Sequence, residues 1–409
     1  MVEINIEDIK EKSVRGAVAL TSRTFVLQLI ALAATFVLTI LLDPATFGIF
    51  YIVSAIINFL NYFSDIGLAA ALVQKKDEPT SDDLATTFTI QQLLIGVTVI
   101  LSLVLSSAIA RYFSVGDGGL WLFRALAVSF FLSSLKTIPS VILERSLDFG
   151  KLVLPQIAET LVFYATAIIL AFKGFGVVSF AWAALFRGLV GTMLLYALVP
   201  WQPQILIRWE SAKKLLSFGL PYQANSFLAL VKDDLLTLFL GKTLPIAAVG
   251  YIGWAKKWAE IALRLIMDNI IRVTFPAYSR LQHEPELLKK AIGKSLLFLS
   301  TFTFPIAVGM MFMVSPLLKV VPRYSKWEPA LFSFYLFTIS AVLATISSPF
   351  INALNATGRV RQTFYLMLFW TGLTWILIPV SVFRFGFEGV ALSAVAIGVT
   401  SFAPYFLVG

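Results

Sequence analysis

The sequence predicts an all-α membrane protein, with about twelve transmembrane helices in two pseudo-symmetric six-helix lobes around a central polar, net basic cavity. Hydrophobic residues make up 58% of the 409 residues and charged residues only 13%, and the mean hydropathy is +0.86. A soluble domain cannot bury that much apolar surface. Apolar stretches of about twenty residues recur along the chain, and the two halves carry similar features at corresponding positions.

The apolar stretches divide equally between the two halves of the chain. Each is long enough to cross the ~30 Å hydrocarbon core of a bilayer as a helix. Their approximate centres are Leu32, Ile56, Gly96, Phe130, Ala165, Gly188, Leu228, Arg264, Phe304, Ser340, Trp370 and Ala396. The predicted domains are therefore an N-terminal lobe (1–200), a cytoplasmic inter-lobe linker (201–214) and a C-terminal lobe (215–409).

The connectors between the spans alternate in charge, which predicts their topology. Connectors on one side carry more than twice as many Lys and Arg residues as those on the other. The positive-inside rule assigns the richer side to the cytoplasm. We therefore expect a multi-pass protein of the cytoplasmic (inner) membrane, with both termini in the cytoplasm. The polar N-terminal stretch MVEINIEDIKEKSVRG does not resemble a cleavable signal peptide.

A charged stripe runs along the eighth span, within GYIGWAKKWAEIALRLIMDNIIRVTFPAYSRLQHEPE at 250–286. Lys257, Glu260, Arg264, Asp268 and Arg272 fall within about a third of the helix circumference. One ionisable side chain at bilayer depth costs at least about 2.5 kcal/mol, so five on one face do not point at lipid. They form either the wall of a polar transport pathway or an internal salt ladder of i,i+4 pairs.

The second span carries a polar stripe of its own. It consists of Ser54, Asn58, Asn61, Tyr62 and Asp65. A shift of about 200 residues superposes this stripe on that of the eighth span. Parallel repeats are typical of transporters, which bind substrate between the repeats. The alternative is chance similarity between two amphipathic helices.

Several functional classes are excluded by missing chemistry. The sequence has no Cys and a single His, His283, in a charged connector. It contains no GxSxG, HExxH or P-loop motif. We therefore expect no enzyme, no catalytic residue and no metal site. We also expect no cofactor, with H⁺ or Na⁺ as the candidate coupling ions. The net charge of +9 is dispersed between apolar spans, which speaks against nucleic acid as a partner.

Four segments resemble a known family. They are SDIGLAAALVQKKDEPTSDDLATTF, IPSVILERSLDFGKL, LLSFGLPYQANSFLALVKDDLLTLFLGKTLPIAAVGYIGWAKKWAE and VTFPAYSRLQHEPELLKKA. In this order they are similar to oligosaccharide flippases of the polysaccharide transport family (Wzx-type, colanic-acid and teichuronic-acid exporter branch). That family belongs to the multidrug/oligosaccharidyl-lipid/polysaccharide exporter superfamily. Relatives commonly continue into a thirteenth and fourteenth span, beyond the last one in this sequence.

The resemblance implies transfer of a polyprenyl-pyrophosphate-linked oligosaccharide from the cytoplasmic to the outer leaflet by alternating access. Such a headgroup requires cations, and Arg suits phosphate because its fork is bidentate. The candidates for this role are Arg23, Lys232, Lys257, Arg264 and Arg272. The alternative for each is a structural ion pair, and Arg272 could also reach lipid phosphates at the membrane surface.

Two further sets of residues follow from the same implied function. Sugars require amide, hydroxyl and aromatic groups, for which the candidates are Asn58, Asn61, Tyr62, Gln223, Asn225 and Trp254. Aromatic residues in membranes are also interfacial anchors or packing groups. Ion coupling requires a carboxylate, for which the candidates are Asp65, Glu159, Asp234 and Asp268. Asp65 could instead cap a helix, and the sequence does not choose between H⁺, Na⁺ and no coupling.

The competing functions are a lipid II-type flippase, a drug exporter of the same superfamily and a non-transporting scaffold of a polysaccharide assembly complex. A cationic drug would require an acidic pathway, whereas the charged residues within the spans are on balance basic. The expected partners are the lipid-linked oligosaccharide and membrane lipids, together with polysaccharide polymerase or ligase machinery.

Overall fold

The computed structural model describes residues 6–64, 66–225 and 227–408, and these residues fold almost entirely into α-helices. The predicted all-α class is confirmed. The chain forms two compact units, Met1–Leu230 and Val231–Gly409.

The described residues of the first unit form nine helices and the start of a tenth. They are α1 (Ile6–Leu41), α2 (Pro44–Ser64), α3 (Leu68–Gln74), α4 (Ser81–Tyr112), α5 (Gly116–Leu135), α6 (Thr137–Arg145), α7 (Phe149–Phe172), α8 (Val178–Leu198), α9 (Trp209–Asn225) and the beginning of α10 (Phe227–Thr243). Helix α8 packs between α5 and α7, α1 covers α7, and α2 and α4 pack on α5.

The second unit continues from α10. Its helices are α11 (Ile246–Arg280), α12 (Pro285–Val320), α13 (Leu331–Ala356), α14 (Val360–Phe385), α15 (Glu388–Val399) and α16 (Ala403–Val408), with 3₁₀ turns at Ser325–Ala330 and Thr400–Phe402. Helix α13 is central, because α11, α12, α14 and α15 all pack against it. Across one of these contacts, Asn352 Nδ2 donates to Thr274 Oγ1 at 2.7 Å.

Nine helical segments in the described part of the chain are long and apolar enough to cross a membrane. They are α1, α2, α4, α5, α7, α8, α12, α14, and α13 together with the 3₁₀ turn before it. Of the other three predicted spans, the one centred at Leu228 lies at the start of α10, which has 17 residues, like α9 before it. The one centred at Arg264 is α11, which carries the charged stripe, and the one centred at Ala396 is α15, which has 12 residues. The count of twelve spans and the central cavity remain predictions.

Short helices close one end of the first unit. Helices α3, α6 and α9, with the first turns of α4, enclose an apolar cluster that includes Leu68, Leu72, Ile138, Val141 and Leu215. We call this group of helices the end layer. The sequence LAAALVQ of α3 forms about two turns of an amphipathic helix, whose apolar face buries Leu68, Ala71 and Leu72.

Charged residues of the end layer satisfy backbone groups. Arg145 at the end of α6 donates to the carbonyl oxygens of Leu72 (2.8 Å), Lys75 (2.7 Å) and Asp77 (3.0 Å). Arg145 thereby caps the C-terminus of α3, where the last carbonyl groups have no partner within the helix. Asp83 completes a capping box with Thr80 at the start of α4 and also pairs with Lys75.

The predicted linker is held against α4, which moves the boundary between the units. The backbone N–H groups of Leu206 and Arg208 donate to the hydroxyls of Thr89 and Thr86, each at 3.0 Å. Arg208 Nε also lies 3.1 Å from Asp82 Oδ2. Because α9 then packs on α3 and α4, the boundary falls at Leu230 and not within 201–214.

The end layer depends on a close contact between two glycines. Gly67 has a left-handed φ of +72°, and a Cβ on it would lie 2.4 Å from the carbonyl oxygen of Gly219. A Cβ on Gly219 would in turn lie 2.5 Å from the carbonyl oxygen of Ile66. No other residue type fits at either position without moving α9 away from the start of α3.

We expect Gly219→Ala to destabilise the protein by about 1–3 kcal/mol, because its methyl group overlaps backbone atoms that cannot rotate away. The matched control is Gly293→Ala in α12, where a Cβ would meet nothing within 4 Å and Ala favours the helix by up to about 1 kcal/mol. Thermal unfolding in detergent measures both variants. Equal midpoints would show that the two backbones do not touch.

Candidate functional site

The charged stripe lies on α11, which is long enough to extend through a bilayer. Helix α11 has 35 residues, or about 52 Å at 1.5 Å per residue. Arg264 lies near its middle with 61% of its side chain exposed. Asp268 and Arg272 are also exposed, and Lys257 and Glu260 are half-buried.

The predicted salt ladder forms only in part. Arg264 Nη2 lies 2.7 Å from Glu260 Oε2, as the i,i+4 spacing predicts. Among the described residues, no ion pair joins Asp268 to Arg264 or to Arg272 within 4.0 Å. Asp268 and Arg272, at the C-terminal end of the stripe, therefore stay exposed, as a polar pathway requires.

The remaining candidates of the second unit differ in exposure. Lys232 and Asp234 are half-buried on α10. Trp254 is only 2% exposed. Its ring stacks on that of Trp327 with centroids 5.4 Å apart, and its Nε1 donates to the Tyr324 hydroxyl at 3.2 Å. Since Trp254 has no exposed ring face, the geometry gives it a packing role and does not support sugar contact.

The structure brings together two of the predicted sugar contacts, Tyr62 and Gln223. The Tyr62 hydroxyl donates to the carbonyl oxygen of Gln223 at 3.0 Å, and Gln223 Nε2 donates to the carbonyl oxygen of Tyr62 at 3.1 Å. These reciprocal bonds join the end of α2 to α9, beside the glycine contact described above. In this conformation both side chains hold helices together.

The other candidates of the second span and α9 are Asn58, Asn61, Asp65 and Asn225. Asn58 is exposed, and Asn61 is half-buried with an Oδ1 that has no hydrogen-bond partner among the described residues. Asp65 lies outside the described residues. Asn225 is the last residue of α9, and its side chain is also outside the described part.

Arg23 on α1 lies against α7. Its Nη1 donates to Gln156 Oε1 at 2.6 Å. Its Nε is buried without a hydrogen-bond partner among the described residues. An unsatisfied buried guanidinium N–H is costly unless a ligand or a water molecule accepts a hydrogen bond from it.

The predicted coupling carboxylate Glu159 is at the centre of an ion cluster in the first unit. Glu159 is 5% exposed and forms an ion pair with Lys136 at the end of α5. Its second oxygen, Oε2, lies 3.7 Å from Nε of Arg187 on α8. We call these three residues the Glu159 cluster. One carboxylate and two cations leave it with a net charge of +1.

Helix α8 has the sequence needed to admit the Glu159 side chain. Gly191 lies one turn beyond Arg187, and a Cβ at this position would lie 1.9 Å from Glu159 Oε1. The side chain of Glu159 therefore crosses the bare backbone of α8. Small residues at helix contacts permit such close approach within membranes.

Hydrogen bonds between α5 and α8 fix the positions of the two cations. Ser129 Oγ donates to the carbonyl oxygen of Ala184 at 2.7 Å. Thr192 Oγ1 donates to Leu132 O at 2.7 Å, and the Tyr196 hydroxyl to Leu135 O at 2.9 Å. The last of these bonds is made to the residue directly before Lys136. Lys136 and Arg187 are not among the candidates that the sequence suggests, and the available signal was the excess of basic over acidic residues within the spans.

A family model and several curated proteins match this chain. The family described as "Polysaccharide biosynthesis protein" matches residues 37–332. The lipopolysaccharide biosynthesis protein WzxC of Escherichia coli (strain K12) is 23% identical over 394 residues, which are 96% of this chain and 78% of that protein. The teichuronic acid biosynthesis protein TuaB of Bacillus subtilis (strain 168) is 21% identical over 75% of this chain and 63% of its own length.

Solved transporter structures share the fold. An inward closed lipid II flippase MurJ superposes with a TM-score of 0.71 at 16% identity, over 96% of this chain and 87% of that structure. An inward-facing multidrug resistance MATE family transporter superposes with a TM-score of 0.69 at 16% identity, over 96% and 98%. The chain therefore shares its fold with a solved flippase and a solved transporter.

We expect Lys136→Met to destabilise the protein by about 3–5 kcal/mol, because it leaves a buried carboxylate without its close partner. Adding Glu159→Gln to this variant should restore more than half of the loss, since the uncompensated charge is then gone.

The matched control for this prediction is Lys151→Met, which breaks the exposed pair of Lys151 and Asp148 at 2.9 Å. It should cost less than about 1 kcal/mol. Unfolding in detergent measures all three variants. A Lys136→Met protein as stable as the control would contradict a buried, structural ion pair at Glu159.

Proposed function

Because the chain belongs to the polysaccharide biosynthesis protein family, we propose that it is a flippase. Its substrate in this proposal is a polyprenyl-pyrophosphate-linked oligosaccharide, moved from the cytoplasmic to the outer leaflet by alternating access. The observation that carries the proposal is the exposed Arg264 near the middle of α11. The names of related proteins, including the succinoglycan biosynthesis transport protein ExoT of Rhizobium meliloti (22% identical), support it.

The chemistry of α11 suits an anionic headgroup. A guanidinium offers paired donors that match the oxygens of a phosphate. Glu260 contacts Arg264 from one turn earlier and orients its side chain, while most of the side chain stays accessible. Arg272 adds a second exposed cation two turns further on, and Lys257 adds a cation on the same face. An adjacent pair of phosphates would therefore meet cations along one helix face.

Coupling to an ion, if the transfer is driven uphill, falls to Asp268 in this proposal. Asp268 is exposed on α11 and forms no ion pair with its predicted neighbours among the described residues. Glu159 is buried and already neutralised by Lys136. An exposed carboxylate exchanges H⁺ or Na⁺ with the pathway more readily than one held in a buried pair. The same proposal places the protein in the cytoplasmic membrane with both termini in the cytoplasm.

Three alternatives make different demands on these residues. A lipid II-type flippase also handles a pyrophosphate, so only the sugar specificity would distinguish it. A cationic drug exporter would be hindered by Arg264 and by the net positive Glu159 cluster. A scaffold for polymerase or ligase machinery would not require the exposed charges of α11.

We expect wild-type protein in liposomes to transfer a fluorescent polyprenyl-pyrophosphate oligosaccharide between leaflets, scored by its accessibility to an added quencher. Arg264→Ala should slow the transfer at least about tenfold, the loss of one charge-assisted contact. The control is Lys256→Ala, which removes an exposed cation of the same helix about 100° away from the stripe. Transfer that is equal in wild type, Arg264→Ala and empty liposomes would sink the flippase proposal.

An imposed pH or Na⁺ gradient tests the coupling. With the wild type, the gradient should bias the leaflet distribution of the labelled lipid at steady state. Asp268→Asn should abolish this bias while leaving exchange in the absence of a gradient within about twofold, because the amide neither binds a proton nor carries charge. If the bias survives in Asp268→Asn, a group other than Asp268 couples the transfer to the ion.

A further inference from the structure

We propose that Arg187, whose guanidinium lies over the ring of Phe163 beside Glu159, is a second binding site for an oxyanion, within the first unit. Its ligand would be the phosphate oxygens of a pyrophosphate or the carboxylate of an acidic sugar. The inference rests on the proposed flippase function for its physiological ligand, but the site itself is defined by α5, α7 and α8.

The depth and exposure of Arg187 are the first argument. Arg187 lies nine residues from the start and eleven from the end of α8 (Val178–Leu198), or about 13 Å and 16 Å along the helix axis. Its side chain is nevertheless 54% exposed. A guanidinium at the centre of a span does not face hydrocarbon, because the cost is several kcal/mol. Arg187 therefore faces water, where a polar substrate can reach it.

The second argument is that Glu159 does not require Arg187. The close partner of the Glu159 carboxylate is Lys136, whereas Nε of Arg187 is 3.7 Å away, beyond hydrogen-bond distance. Among the described residues, no hydrogen bond is formed by either Nη group of Arg187. Its paired donors are available to a ligand. The net charge of +1 of the Glu159 cluster would also attract an anionic ligand.

The third argument is that the guanidinium is already oriented. Its Cζ lies 5.9 Å from the centroid of the Phe163 ring, within the range of a cation–π contact. Phe163 in turn packs on Tyr164 (5.2 Å) and stacks on Phe180 (6.4 Å). With Phe163 beneath the guanidinium and Glu159 nearest to Nε, both Nη groups of the fork lack a hydrogen-bond partner among the described residues. A bidentate oxyanion pairs with such a fork at low entropic cost.

A comparison with Arg124 shows what a structural arginine looks like in this unit. Arg124 on α5 donates from Nε to Ser106 Oγ at 3.0 Å and from Nη2 to Ser107 Oγ at 3.4 Å. Both ends of its guanidinium are thus engaged by α4. Arg187 has a ring beneath it and a distant carboxylate instead, which is the arrangement of a binding group.

The test is calorimetric titration of purified protein in detergent with inorganic pyrophosphate and, separately, with glucuronate. We expect Arg187→Gln to weaken binding at least tenfold. Arg187→Lys should weaken it as well, because it keeps the charge but loses the fork and the stacking. Arg124→Gln is the control and should bind as the wild type does. Both Arg187 variants retain the Lys136–Glu159 pair, so they should fold, and thermal unfolding verifies this.

The outcomes separate the two ligand sources. Weakening for pyrophosphate alone assigns the site to the lipid headgroup, weakening for glucuronate alone assigns it to the sugar chain, and weakening for both assigns it to either oxyanion. Unchanged affinity of Arg187→Gln for both ligands overturns the proposal. If the wild type binds through Arg187 but transfers no lipid in liposomes, the flippase function fails and the oxyanion site stands.

Discussion

The cost of placing charge at bilayer depth is the constraint on which the rest of this structure depends. The protein meets it in two ways. In the first unit, Glu159 is buried and paired with Lys136. In the second, Arg264 and Asp268 stay exposed on α11. A buried pair contributes little net stability over apolar residues of similar volume. The cluster is thus better explained by the cation it leaves exposed, Arg187, than by the energy of the pair.

The polar cluster in turn depends on helix packing that apolar burial alone does not provide. Lipid and side chains are equally apolar, so contacts between helices within membranes depend on small residues and hydrogen bonds. Helices α5 and α8 are joined by Ser129, Thr192 and Tyr196, and Gly191 admits the Glu159 side chain. The segments that resemble a known family act similarly at the end layer, where Arg145 and Asp83 satisfy backbone groups. Arg145 and Asp83, which belong to the first two of those segments, therefore maintain the fold.

The sequence predicts what local pattern controls. All twelve predicted span centres lie in helices, and the i,i+4 spacing identified the Glu260–Arg264 pair. What it missed depends on contacts between distant segments. The unit boundary at Leu230 results from α9 packing on α3. The pairing of Tyr62 with Gln223 and the grouping of Lys136, Glu159 and Arg187 join different helices. No periodicity within one helix contains that information.

The two units carry their charged residues on different helices, so the repeat predicted from the sequence does not extend to these charges. Helix α2 contains no charged residue, and its counterpart α11 contains the stripe. In the first unit, the Glu159 cluster lies on α7, on α8 and directly after α5. In the second unit, the central helix α13 contains no charged residue. Arg187 and Arg264 are therefore not equivalent positions of the predicted repeat. Because Arg187 and Arg264 contact different acids at different distances, the two groups need not bind one headgroup with the same affinity.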